Sequence, residues 1–265
     1  MTDTLDAILL GGGTGKRFSE TRRGHSQPLP KQFQMLGNAP VFIHALKSFL
    51  SLNFFRQIVL AFPKEYLSLA EEQIDSFLPT QSRTLIRVIA GGERRQDSSC
   101  LALQAIEEVT PSPTRILIHD ACRPYLPKEF LTRIKEKLLD RSYGAWVPVV
   151  PVVETLKRIE NHEVIETVDR NLVHRVQTPQ IFEYTVIRSL AEKLKDSPEL
   201  NFTDDASLCE YYGIPVGSFE GEVRNIKLTY DFELESLRMM LDELRTSEEK
   251  GNSSCEPESA TTFTA

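Results

Sequence analysis

No stretch of the chain approaches the ~20 consecutive apolar residues of a membrane-spanning helix, and the mean hydropathy is −0.27. The opening residues, MTDTLDAILL, lack both the basic stretch and the long apolar segment of an export signal. Cysteine is scarce. Cys100, Cys122, Cys209 and Cys255 stand far apart, with no C-x-x-C pair and no histidine at metal-ligand spacing. That spacing speaks against a zinc site and for free thiols in a reducing compartment. Positive charge is in deficit, with 31 Lys and Arg against 38 Asp and Glu, a net charge of −7. These absences predict a cytoplasmic protein that engages neither membrane nor nucleic acid, and any phosphate must be met by a local cation cluster on an acidic background.

What is present is globular: 265 residues, 40% apolar and 26% charged, enough for a sizeable core. Ala7 to Leu10, Gln57 to Phe62, Arg115 to His119 and Ala145 to Val150 read as buried strands, and another strand ends at Ala90. Val41 to Leu50, Lys64 to Leu78, Asp97 to Val109 and Glu129 to Leu139 carry helical spacing. The alternation predicts an α/β fold with a mostly parallel sheet, helices on both faces and ligands beyond the carboxyl ends of the strands. Pro151 to Pro179 breaks the rhythm: its alternating residues around Glu160-Asn161-His162 predict a hairpin leaving the main body. Helical patterns resume at Tyr184 to Lys195, Asp204 to Tyr212 and Phe232 to Leu244, and the polar run from Thr246 predicts a disordered tail.

The first strand leads into GGGTGKRF, Gly11 to Phe18, where glycines let backbone N–H groups approach a phosphate. It is neither of two well-known loops. A Walker A loop would need glycine at Leu10 and Ser or Thr at Arg17, and a dinucleotide fingerprint would need glycine at Lys16. A glycine turn with incidental basic residues is the plainer alternative. PLPKQF, Pro28 to Phe33, adds Lys31, alone a solvated charge but with Lys16 and Arg17 a cluster able to compensate a triphosphate. In GGERRQDSS, Gly91 to Ser99, the glycines suit close approach to a flat base, while Ser98 caps a helix or meets ligand. HDACRP, His119 to Pro124, places Asp120 beyond a strand end, to hold a divalent cation with substrate phosphates or to pair with Arg123.

In order along the chain, GGGTGKRF, PKQF, GGERRQDS, HDACRP, PVVETLK, DRNLVHRVQTPQ, TDDASLCE and NIKLT resemble the 2-C-methyl-D-erythritol 4-phosphate cytidylyltransferase family of the non-mevalonate isoprenoid pathway, from about Ala7 to Leu244. The resemblance implies a Rossmann-like nucleotidyltransferase domain over 1–246, a dimerisation β-arm at about 152–173 and a tail at 247–265. It also implies Mg²⁺ and CTP as partners of the reaction, and a homodimer whose arms cross, with a plastid as the alternative to the cytoplasm. Gly11, Gly12, Gly13 and Gly15 would line the CTP site together with Gly92, Glu93, Arg95, Ser98 and Ala121. Lys16, Arg17 and Lys31 would hold the triphosphate, Arg17, Lys31 and Lys227 would be catalytic, and Asp120 would bind metal. Arg123, Thr155, Arg170, Thr178 and Lys227 would surround the acceptor, with Thr155 and Arg170 serving the partner subunit.

The chain departs from the pattern in the long segment between Arg17 and Lys31, expected to order on CTP from Ser19 to Pro30. It departs also in Glu93 and Glu154, where the family commonly has Asp, and in Arg224, where many relatives carry an acid. A ribitol 5-phosphate cytidylyltransferase is the nearest rival, disfavoured by Glu154-Thr155-Leu156-Lys157 and DRNLVHRVQTPQ. A silent nucleotide-binding subunit is the rival of another class, disfavoured by Arg17, Lys31 and Asp120 together.

Overall fold

The computed structural model describes residues 4–12, 29–107 and 111–253. Gly13, Gly15, Lys16, Arg17, Cys255 and nearly all of the Ser19 to Pro30 segment lie outside them.

Strand β1 (Leu5–Leu10) is buried along its whole length, as a strand covered on both faces must be. Its one acidic residue, Asp6, tolerates burial because β4 (Phe55–Phe62) satisfies it: Arg56 donates to both carboxylate oxygens at 2.9 and 2.6 Å, and Gln57 donates at 3.0 Å. Between β1 and β4 the chain makes a short antiparallel ribbon, β2 (Met35–Leu36) and β3 (Ala39–Pro40). β1 pairs in parallel with β4 and with β6 (Arg115–Asp120), and β4 pairs in parallel with β5 (Ile86–Ala90). β11 (Gln180–Glu183) joins β6 antiparallel and leads to β7 (Ala145–Pro151), which also carries β10 (His174–Val176) antiparallel and β12 (Val216–Glu220) parallel.

The side-chain alternation of a strand puts Leu5, Ala7 and Leu9 in one core and Ile8 and Leu10 in another. The first core takes α1 (Val41–Leu50), α2 (Leu67–Phe77) and α5 (Lys128–Leu139); between α2 and α5 come the short α3 (Thr80–Arg83) and then α4 (Arg95–Glu107). The second core takes α4, α6 (Tyr184–Lys195) and α7 (Asp205–Tyr211). The sheet is thus sandwiched, as the alternation predicted.

Two expected boundaries change. The helix expected over Lys64 to Leu78 opens as a 3-10 turn, Lys64–Tyr66, before α2. The final helix, α8 (Glu233–Ser253), passes Leu244, so the tail expected to be disordered from 247 is helical through Ser253. Leu234 and Leu237 anchor it in a small core with Leu228 and Cys122, and once nucleated a helix extends cheaply through formers such as Glu248, Glu249 and Lys250. No described helix is long and apolar enough to cross a membrane.

The hairpin is present as β8 (Leu156–Glu160) and β9 (Glu163–Val168), a two-stranded sheet of its own. Asn161 and His162 at its tip both have positive φ, 48° and 70°, the conformation of a two-residue turn that matches strand twist.

Candidate active site

Along the chain, β1 is followed by β4 and β5 on one side of the sheet, while β6 lies on the other side of β1. Open parallel sheets bind ligands where the strand order reverses in this way, beyond the carboxyl ends. Gly11 and Gly12 follow β1 there, Gly91 and Gly92 follow β5, and Asp120 ends β6 opposite Leu10.

The loops at this end interlock. A Cβ on Gly12 would fall 2.7 Å from Ser98 Oγ, so a side chain there would displace the Ser98 hydroxyl or push the first loop away from helix α4. Ser98 is 1% exposed; its hydroxyl accepts from Gly92 N–H at 3.1 Å and donates to the Arg94 carbonyl at 3.2 Å. The Ser98 hydroxyl is thus bonded within the β5–α4 connection, to the turn that leads into its own helix. Capping falls to Asp97, whose Oδ2 accepts from Arg94 N–H at 3.1 Å. Lys31 begins a 3-10 turn whose next two residues are buried: Gln32 donates to the Gly11 carbonyl, and Phe33 packs among Phe42, Phe62 and Tyr66. The backbone under Lys31 is thereby tied to the glycine loop.

Asp120 is the electrostatic centre. Lys227 Nζ lies 2.9 Å and Arg123 Nε 3.5 Å from its Oδ2, and Arg95 Nε lies 3.2 Å from its Oδ1. The pair with Arg123, the structural alternative in the sequence, is the longest of the three contacts. Burial alone would raise the Asp120 pKa, but Lys227, Arg95 and Arg123 outweigh it and hold the carboxyl well below its usual range. Lys227 is raised in turn, chiefly by Asp120. Arg95 also reaches Asp205 at 2.6 Å; burial opposes its charge, the two carboxylates prevail, and its pKa is raised. Its buried Nη2 has no hydrogen-bond partner among the described residues.

Asp205 reaches Arg95 because Gln180 holds the start of α7, donating to Asp204 at 2.6 Å and accepting from Ala206 N–H at 3.2 Å. Sequence reasoning missed Gln32, Gln180 and Asp205 as parts of the site, although the second Gln of QTPQ and the acids of TDDASLCE were in view.

Behind Asp120, a buried chain of hydrogen bonds fixes a proton position. His119 Nε2 lies 3.1 Å from the Arg123 carbonyl, which can only accept, so Nε2 carries the hydrogen. Nδ1 therefore accepts from Thr178 Oγ1 at 2.9 Å, and that oxygen accepts from Asp120 N–H at 3.1 Å. Thr178, expected beside the acceptor, is 4% exposed with its hydroxyl engaged in this chain. Burial is the main cause that lowers the His119 pKa from 6.5 to about 4, against an opposing pull from Asp120. Between those values the unfolded chain binds a proton that the folded chain refuses, so stability falls as pH falls through that window, by up to about 3 kcal/mol. Urea unfolding between pH 7 and 4.5 should show a steeper loss for the native chain than for His119→Gln; equal slopes would remove His119 as the cause.

Of the expected site residues, Gly11, Gly12, Lys31, Gly92, Glu93, Arg95, Ser98, Asp120, Ala121, Arg123, Thr178 and Lys227 fall among the loops and strand ends just described. Thr155 and Arg170 do not: both are exposed on the arm, where Arg170 donates to the Val153 carbonyl at 2.7 Å. No group of three or more His, Cys, Asp or Glu side chains among the described residues could hold a metal ion. Asp120 offers a single carboxylate, which fits Mg²⁺ arriving with a triphosphate that supplies the remaining oxygens.

A family model described as 2-C-methyl-D-erythritol 4-phosphate cytidylyltransferase matches residues 5–243. A protein named bifunctional enzyme IspD/IspF from Bartonella bacilliformis is 34% identical over 240 residues, 90% of this chain and 57% of the relative. The chain thus spans little more than half the length of several curated relatives it matches. A 2-C-methyl-D-erythritol 4-phosphate cytidylyltransferase from Carboxydothermus hydrogenoformans is 32% identical, covering 88% of this chain and 93% of its own. A solved 4-diphosphocytidyl-2C-methyl-D-erythritol synthase superposes with TM-score 0.71 at 26% identity, covering 91% of this chain and 100% of that one. Another, from Anaerococcus prevotii, shares the fold with TM-score 0.73 at 24% identity, over 91% and 99%. With the eight motifs in order and a match running from β1 into α8, this chain belongs to the 2-C-methyl-D-erythritol 4-phosphate cytidylyltransferase family.

Proposed function

We propose that the chain transfers the cytidylyl group of CTP to 2-C-methyl-D-erythritol 4-phosphate and releases pyrophosphate. The observation that carries this reading is the cation cluster Arg95, Arg123 and Lys227 on Asp120, at the strand ends that also carry the glycine loop and the Lys31 turn. An oxygen of the acceptor phosphate forms a bond to the α-phosphorus. The bond from that phosphorus to the α,β-bridging oxygen breaks, and pyrophosphate leaves with the electron pair. The attacking phosphate is already ionised, so no general base is required, and His119 is left to its buried structural chain. The obstacle is the approach of two polyanions, which positioned cations relieve most where charge builds on the leaving oxygens. Arg17 and Lys31 act on the triphosphate, Arg123 and Lys227 on the acceptor, and Asp120 gathers and orients Arg123 and Lys227. Mg²⁺ held by Asp120 and phosphate oxygens would add charge neutralisation at the triphosphate.

We infer further that the active unit is a homodimer with crossed arms. The arm exposes Val153, Ile159, Val164, Ile165 and Leu172, the last 83% exposed, apolar surface suited to a second copy. Thr155 and Arg170 ride on that arm.

Pyrophosphate release from CTP and Mg²⁺ should depend on methylerythritol phosphate and be at least tenfold slower with ribitol 5-phosphate, a gap of ~1.4 kcal/mol in barrier. Preference for ribitol phosphate would reassign the acceptor, and no release with either would indicate a silent subunit.

A further inference from the structure

Lys227 belongs to no helix or strand. It sits in the irregular segment between β12 and α8, so its place against Asp120 must be set by side chains that grip this segment. Two buried amides do so. Gln177 is 6% exposed; its Nε2 donates to the Glu222 carbonyl at 2.7 Å and to the Asn225 carbonyl at 3.3 Å, while its Oε1 accepts from Glu222 N–H at 3.0 Å. The approach is tight: a Cβ on Gly221 would fall 2.6 Å from Gln177 Oε1. Asn225 is fully buried; its Nδ2 donates to the Thr178 carbonyl at 2.8 Å, and its own carbonyl accepts from Arg123 Nη1 at 2.8 Å.

These bonds connect three groups that the reaction uses. Thr178 touches the backbone of Asp120, Arg123 touches the Asp120 carboxylate, and Lys227 follows Asn225 by two residues. Asn225 Oδ1 is buried with no hydrogen-bond partner among the described residues, a cost that an apolar side chain of similar size would avoid. What such a side chain could not do is hold the Thr178 carbonyl.

We propose that Gln177 and Asn225 are positioning residues that latch the 221–227 segment onto the β10–β11 connection at Thr178 and so set Lys227 and Arg123 on Asp120. The proposal rests on the cytidylyl-transfer reading above. Without the latch the segment keeps its main-chain bonds from Gly221 N–H to Val149 and from Leu228 N–H to Cys122, so the fold survives while the ammonium drifts.

The test is a double-mutant cycle on the full chain, read by pyrophosphate release with CTP and methylerythritol phosphate. Gln177→Leu should lower kcat by about tenfold to a hundredfold, the scale of a catalytic group displaced by about 1 Å, with KM for CTP nearly unchanged. In a Lys227→Ala background, Gln177→Leu should cost clearly less than it does in the native chain, because one of the two cations it positions is gone. Asn225→Ala should behave alike; if that variant does not fold, the Gln177 cycle decides. Where Lys227→Ala has no measurable rate, the nitrogen-15 signal of the Lys227 ammonium replaces it and should move to the free-lysine position in Gln177→Leu. Losses that multiply, an unchanged ammonium signal, or a Gln177→Leu enzyme of native kcat would overturn the latch alone. A Lys227→Ala enzyme of native kcat would overturn the catalytic role of Lys227, and the latch with it.

Discussion

Asp120→Asn is expected to lower kcat by at least about a hundredfold and to destabilise the free protein by about 3 kcal/mol. The carboxylate carries Lys227, Arg95 and Arg123 on two oxygens. An amide offers one acceptor and turns two N–H donors toward groups that are donors themselves. Arg95 keeps Asp205, but Lys227 and Arg123 lose the charge that holds them. Removing a negative charge should at the same time leave triphosphate affinity unchanged or raised, so the loss falls on kcat and not on the KM for CTP. Urea unfolding without substrate gives the stability change, and a Mg²⁺ titration of the rate separates the two jobs of Asp120. Partial recovery at high Mg²⁺ is expected if the carboxylate also holds the ion. A rate loss indifferent to Mg²⁺ assigns Asp120 to the cations alone, and native kcat would remove it from the site.

The second large effect concerns subunits. Lys31→Ala and Arg170→Ala homodimers should each be nearly inactive, since one lacks a cation at the glycine loop and the other a cation on the arm. When the two are mixed and exchange, about half of the dimers are hybrids, and with crossed arms each hybrid has one site bearing both lesions and one bearing neither. About a quarter of all sites then recover native composition, as a two-fold dimer with shared sites requires. Recovery from below about 1% to about 25% of native activity is a large signal, at least ~2 kcal/mol when expressed as a ratio. Verified exchange without recovery would place both residues in the same site of one chain and refute the crossed arms, leaving the reaction untouched.

The main architecture was legible in the residues because it follows from local periodicity. Strands such as LDAILL and RILIHD, alternating with amphipathic helices, can hardly be buried except in a sheet covered on both faces. Glu160-Asn161-His162 likewise marked a turn between alternating residues, and the fold narrows the tip to Asn161-His162. Strand β12 escaped notice because VGSFE is short and contains Gly and Ser; its strand character comes from pairing with β7. The end of α8 escaped because a polar run carries no periodic signal, whereas a helix already anchored at Leu234 and Leu237 propagates through it.

The residues alone carried the parallel strands, the order of the motifs and the chemical types at the site: glycines after β1 and β5, a lone acid at the end of β6, basic residues nearby. Which side chains touch was settled by folding. Asp120 and Lys227 are 2.9 Å apart although more than a hundred residues separate them, and Asp205 came to Arg95 by way of Gln180. Folding also placed Thr178, expected beside the acceptor, in hydrogen bonds to both His119 and the Asp120 backbone. The physical reason is the range of the forces. Secondary structure is written in neighbours three, four or two residues apart, whereas a buried charge must find its counter-charge wherever the fold brings one within ~4 Å.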